Sequence, residues 1–156
     1  MITESQPPQH RGGYLDNYRR TLDVSRRVLL PSEWRESDPA PEYMILPWPL
    51  SRPQYLVALP PRRWEILVQR MGETSLSDPQ AALVQRVLAS SAVRVKPDNA
   101  GRILLPENLI KKININKEIV LAGRIEMFEI WEPGIFDETY QKDAAQVDQI
   151  IQGWKI

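Results

Sequence analysis

One nine-residue stretch occurs twice in this chain. Asp23-Val24-Ser25-Arg26-Arg27-Val28-Leu29-Leu30-Pro31 aligns with Asp98-Asn99-Ala100-Gly101-Arg102-Ile103-Leu104-Leu105-Pro106 at an offset of 75, with five of nine positions identical. A second echo follows in the same order: Tyr55-Leu56-Val57-Ala58-Leu59-Pro60 against Phe128-Glu129-Ile130-Trp131-Glu132-Pro133, at an offset of 73. Two echoes with so small a slip point to duplication of one structural unit, and a duplicated unit must bury its apolar face against its twin.

Turn chemistry shapes each copy. Val93 and Val95 alternate with polar residues, Pro97-Asp98-Asn99-Ala100-Gly101 reads as a turn, and Arg102–Leu105 resumes a strand. Pro106 and Pro31 each stand where a helical turn accepts proline. Strands are expected at Glu118–Leu121 and Arg124–Trp131, joined through Ala122-Gly123. Trp64, Leu67, Val68 and Met71 form one apolar stripe. Asp78-Pro79 opens a helix that carries Leu83, Val84, Val87 and Leu88 on one side. Tyr140, Ala144, Val147, Ile151 and Trp154 make a last amphipathic stripe, the one with the weakest claim to packing inside its own chain. The fold class is therefore α+β and β-rich. The expected organisation is a first unit at 13–74, a bridging helix at 75–92, a second unit at 93–138 and a C-terminal helix at 139–156.

The residue inventory argues against catalysis. The 156 residues include no cysteine, and His10 is the one histidine, which removes thiol chemistry, zinc ribbons and a Ser/His/Asp triad. Gly-rich phosphate loops, H-E-x-x-H and G-x-S-x-G are all missing. Glu129 and Glu132 read as carboxylates on a solvated strand edge. No cofactor, no metal and no membrane partner is called for, since no apolar run approaches the roughly 18–20 residues of a span. A cytoplasmic protein is the expectation. Net charge is zero but unevenly spread: residues 1–124 carry 18 basic against 13 acidic side chains, and residues 125–156 carry 2 against 7.

The D-x-x-x-R element is what remains. An aspartate at a turn start accepts backbone N–H groups, and the arginine leaving the turn either folds back on it or reaches outward to a phosphate or guanine edge. Arg11, Arg19, Arg20, Arg26 and Arg27 fall in one short stretch with Tyr14 and Tyr18 between them, a composition suited to double-stranded DNA and equally to a solvated basic face.

These residues together resemble the MraZ family: the doubled D-x-x-x-R with Val/Ile-Leu-Leu-Pro, Tyr55–Pro60 leading to Trp64-Glu65-Ile66, and Ile119–Arg124 through Phe128–Trp131. The resemblance spans roughly residues 13–150. It implies two SpoVT-AbrB-like swapped-hairpin units of the double-barrel type. It also implies a ring-shaped homo-oligomer and binding to repeats upstream of a division and cell-wall gene cluster, at the nucleoid. By the same resemblance, Asp23 and Arg27 present a DNA-reading loop supported by Arg19, Arg20 and Arg26, and Asp98 and Arg102 are the corresponding pair. The chain departs from the family's D-x-K-G-R, having Ser25 and Arg26 in the lysine and glycine positions, and it has Asp16 where a glycine is usual. A ring scaffold without DNA binding is the alternative, and a small hydrolase or transferase the weakest reading.

Overall fold

The computed structural model describes residues 13–35, 40–50, 52 and 54–155. Its elements run β1 Asn17–Thr21, β2 Arg27–Leu29, a 3-10 turn Ser32–Trp34, β3 Tyr43–Trp48, β4 Tyr55–Leu59, α1 Pro61–Gly72 and α2 Pro79–Ser91. There follow β5 Val93–Val95, β6 Arg102–Leu104, α3 Glu107–Lys112, β7 Glu118–Gly123, β8 Phe128–Trp131 and α4 Pro133–Gln152. The fold is α+β and β-rich, with no closed barrel among the described strands.

Six strands form one antiparallel sheet in the order β1-β7-β8-β4-β3-β5. Exchanging each first-half strand for its second-half counterpart, β1 for β5, β3 for β7 and β4 for β8, reverses the order and leaves it unchanged. The internal dyad passes between β4 and β8, whose registers Leu56↔Ile130 and Ala58↔Phe128 join the two halves. β2 and β6 form a separate ribbon, pairing Arg27↔Leu104, Val28↔Ile103 and Leu29↔Arg102. Both halves thus contribute to every layer, and neither encloses a core alone.

The main core lies between one sheet face and the ribbon. Val28 and Ile103 point inward at 1% and 0% exposure, while Leu29 and Leu104 between them stay about two-fifths exposed, as the period of two in a strand requires. Phe128 sits near the dyad with Trp34, Tyr43 and Tyr14, ring centroids 5.1, 5.2 and 5.5 Å away. Those edge-on and tilted contacts suit the aromatic quadrupole. On the other sheet face α1 covers Met44, Leu46, Val57 and Leu59, and the first turn of α4 covers Val120, Ala122 and Trp131.

Several expectations need correcting. Ala122 and Gly123 end β7 in strand conformation, because Gly123 lies against Tyr14: a Cβ there would come within 2.4 Å of the Tyr14 carbonyl oxygen. The turn to β8 comes later, where Arg124 N–H donates to Met127 O and Ile125 adopts φ +65°, so the second strand starts at Phe128. The last helix starts at Pro133, six residues before 139, because the Glu132 carboxylate caps it by accepting from Gly134 and Ile135 N–H. Of the α2 stripe only Leu88 is buried; Leu83, Val84 and Val87 face outward. Glu129 is not on a solvated edge. It lies on central β8 and accepts from Trp131 Nε1 at 2.9 Å and from Arg124 Nη1 at 3.1 Å, and burial raises its pKa above the ordinary carboxylate value.

Candidate nucleic-acid interface

The two D-x-x-x-R elements fold into the same loop. In the first, Asp23 Oδ1 accepts from Ser25 and Arg27 N–H at 2.8 and 2.9 Å, Asp23 N–H donates to Arg27 O, and Arg26 N–H donates to Asp23 O. The second repeats all four bonds: Asp98 Oδ1 with Ala100 and Arg102 N–H, Asp98 N–H with Arg102 O, and Gly101 N–H with Asp98 O. Only an acceptor on a short side chain can reach two amides in such a turn, which is why aspartate stands there. Chief among the causes that hold the Asp23 carboxyl below its ordinary pKa is the Arg27 amide; for Asp98 it is the Arg102 amide.

The loops also clasp each other. Leu30 N–H donates to Gly101 O at 3.0 Å, and Leu105 N–H donates to Arg26 O at 2.9 Å. Position 26 and position 101 are equivalent under the 75-residue offset, as are Leu30 and Leu105, so each repeat closes the other's loop. In both loops the residue whose carbonyl faces the partner is left-handed. Gly101 does so at φ +83° and Arg26 at φ +63°, a conformation that costs a residue bearing Cβ about 1–2 kcal/mol. Arg26 therefore replaces the usual glycine without changing the loop's shape.

The arginines differ. Arg102 Nε folds back on Asp98 Oδ2 at 3.1 Å. The Arg27 guanidinium makes no hydrogen bond or ion pair among the described residues. On the ribbon's outer face Arg27 and Arg102 occupy diagonal corners, with the exposed Leu29 and Leu104 at the other two. Arg20 reaches the same surface: its Nε donates to Leu29 O at 3.2 Å, and its guanidinium lies 5.2 Å from the Tyr18 ring centroid.

Arg19 goes elsewhere. Neighbours on a strand point to opposite faces, so Arg19 faces α4, where its Nη2 pairs with Asp137. The structure thus brings Arg20, Asp23, Arg26, Arg27, Asp98 and Arg102 around the ribbon and sets Arg19 on the other side of β1. Tyr14 is a core residue at 3% exposure, and its hydroxyl lies 3.0 Å from that of Tyr43. Tyr18 is half-buried, with its hydroxyl donating to Glu33. Neither ring is an interface platform. Arg11 lies outside the described residues.

Sequence reasoning missed Arg35. Its Nε and Nη2 both donate to Leu30 O, at 3.1 and 3.0 Å, and a Cβ on Gly101 would fall 2.6 Å from its Nε. Nothing in the turn motif signals a clamp four residues beyond Pro31. The outward Leu29 and Leu104 were available from strand alternation. A two-stranded ribbon of this kind is narrow enough for the roughly 12 Å major groove of DNA. Among the described residues no group of three or more histidine, cysteine or acidic side chains could hold a metal ion, and no helix is long and apolar enough to cross a membrane.

Residues 88–150 match the family model for MraZ protein. Over 141 residues the chain is 31% identical to the transcriptional regulator MraZ of Erwinia tasmaniensis, covering 89% of this chain and 88% of that one. The transcriptional regulator MraZ of Clostridium tetani is 32% identical over 139 residues, covering 89% and 94%. That of Yersinia pestis is 33% identical over 133 residues, covering 84% and 86%.

Proposed function

The chain belongs to the MraZ family of transcriptional regulators, and from that premise we propose that the β2–β6 ribbon and its two loops are a sequence-specific interface for double-stranded DNA. The protein is a transcription regulator, not an enzyme. In this reading Arg27 reads a base edge, because its guanidinium makes no hydrogen bond or ion pair among the described residues, whereas that of Arg102 is folded back on Asp98. Arg26 and Arg20 reach phosphates on either side, positioning the ribbon without reading sequence. Asp98 and Arg102 hold the second loop rigid and supply a second cation beside the first. Arg19 falls outside the interface, engaged by Asp137.

The larger organisation belongs to the same proposal. Two SpoVT-AbrB-like units, 13–74 and 93–138, are bridged by 75–92, and copies of the chain assemble into a ring at the nucleoid in the cytoplasm. There they engage promoter repeats upstream of a division and cell-wall gene cluster. The unclaimed Arg27 on an exposed ribbon is the observation that supports this reading best.

A gel shift on the protein's own upstream DNA tests it. A good bidentate arginine–guanine contact is worth about 1–3 kcal/mol, and simultaneous engagement of several repeats multiplies the loss. Arg27→Ala is expected to remove the specific complex while leaving native mass and melting temperature unchanged. Arg20→Ala lowers affinity for all sequences alike, with a salt slope smaller by roughly one. A wild-type protein that forms rings but shifts no DNA would establish the scaffold reading instead.

A further inference from the structure

The internal dyad that relates the two loops also relates two clefts between helix and sheet, and these have opposite character. Under α1, the helix contributes Arg63, Ile66, Leu67 and Arg70. Under α4, it contributes Phe136, Thr139, Tyr140 and Asp143, the same four positions at an offset of 73. The α1 cleft is floored by Leu46, Val57, Leu59 and Met127; the α4 cleft holds Asp16 and Glu129. Arg63 is paired with Glu126 and Arg124 with Glu129. Arg70 and Asp143, one equivalent to the other, make no ion pair among the described residues.

Beyond its first turns α4 is open to solvent. From Tyr140 to Lys155 every residue is exposed, Val147, Ile151 and Trp154 at 43%, 40% and 66%. Thirteen of these residues, to Gln152, are helical, about 20 Å, a length that is marginal in water without a packing partner. Such a stripe on an acidic helix complements an apolar cleft rimmed by arginine.

We propose that the α1 cleft of one copy receives α4 of a second copy, with Asp143 facing Arg70. This rests on the self-assembly in the reading above and names its interface. A contact of α1 with α1 would bring together two helices rich in arginine, and one of α4 with α4 two helices rich in carboxylates; the like-charge faces favour α1 against α4. When the copy that receives a helix is not the one that is given it, the contact is head-to-tail and leads to a closed ring or a filament, whereas reciprocal exchange would stop at two copies.

The chain has no cysteine, so single-cysteine variants report the interface directly. Val68→Cys and Val147→Cys both replace exposed side chains on α1 and α4. Mixed without DNA and treated with a flexible bismaleimide, the two variants are expected to join to each other, with a tag on one chain identifying the product. The double variant should give a ladder of multiples of the chain mass. Val147→Cys joining chiefly to itself, no cross-linking in the mixture, or a wild-type protein with the native mass of one chain would each overturn the proposal. Arg70→Asp should lower native mass, and Arg70→Asp with Asp143→Arg should restore it; failure to restore it in a folded protein counts against the pairing. DNA binding is scored separately, so a ladder without a gel shift defeats the DNA reading alone.

Discussion

The first and second loops share a backbone and differ in what their side chains are left to do. Each is held by the same four hydrogen bonds around an aspartate, and each lends a carbonyl to the other's leucine. Loop two has glycine at the left-handed position and an arginine bound to its own aspartate. Loop one has arginine in both places and neither is paired with its aspartate's side chain. Both loops maintain the clasp, but the Arg102 side chain braces its own loop, whereas those of Arg26 and Arg27 stay open to solvent or a ligand. Glycine is required only once for a steric reason. Arg35 lies over Gly101, whereas its equivalent under the repeat is Ile110, a core side chain.

That contrast can be broken from the loop-two side with the largest effect on stability. Gly101→Ala places Cβ where the Arg35 guanidinium lies and forces a left-handed alanine, so it is expected to destabilise by about 1–3 kcal/mol. Thermal unfolding should register this as a loss of several degrees, at about 2–4 °C per kcal/mol for a chain of this size. If Arg35 alone causes the clash, Arg35→Ala in the same protein recovers part of the loss.

Making loop one resemble loop two should act the other way and more weakly. Arg26→Gly relieves the left-handed strain while loosening the unfolded chain, a net gain of up to about 1 kcal/mol. Binding should weaken for all DNA sequences, with the salt slope reduced by about one if Arg26 meets a phosphate. A salt slope equal to the wild type would remove Arg26 from the interface.

The smallest effect is that of pH. Both aspartates have pKa values lowered from 3.8 by the amides they accept from. Their stabilisation is present above the ordinary carboxylate value and is lost as pH falls through the lowered one. Glu129, raised by burial, has the opposite sign: its contribution favours the folded state at low pH and fades as pH rises through its folded value. Protection of the Arg27 and Arg102 amides, relative to their intrinsic exchange at each pH, should therefore fall in parallel below about pH 4, without a matching change around Glu129. Divergent behaviour of the two amides would mean that the loops are not equivalent in backbone.

Local chemistry was legible wherever the residues that decide it are adjacent. Asp78 caps α2 by accepting from Gln80 N–H at 2.9 Å, as the Asp-Pro pair announces. The paired Asp turns could be read for the same reason, since each aspartate bonds amides two and four residues on. Arg19 and Arg20 were grouped by proximity in sequence, though strand alternation already separates them. The central position of Glu129 is not legible, because a short apolar strand does not announce whether it is central or at an edge. The exposure of α4 was legible only as a weak claim to packing.

That this chain is a duplicated β-rich unit with two Asp-anchored turns follows from its residues alone, because a repeat is visible by self-comparison and each turn is set by residues within a few positions of one another. Long-range packing is what interleaves the copies, with β4 against β8 and β2 against β6, and closes each loop with the other half. Pairings across some 75 residues depend on which apolar faces bury together. The same long-range packing put Arg35 over Gly101, left Arg27 unclaimed and turned Arg19 toward Asp137, and no local pattern contains that information.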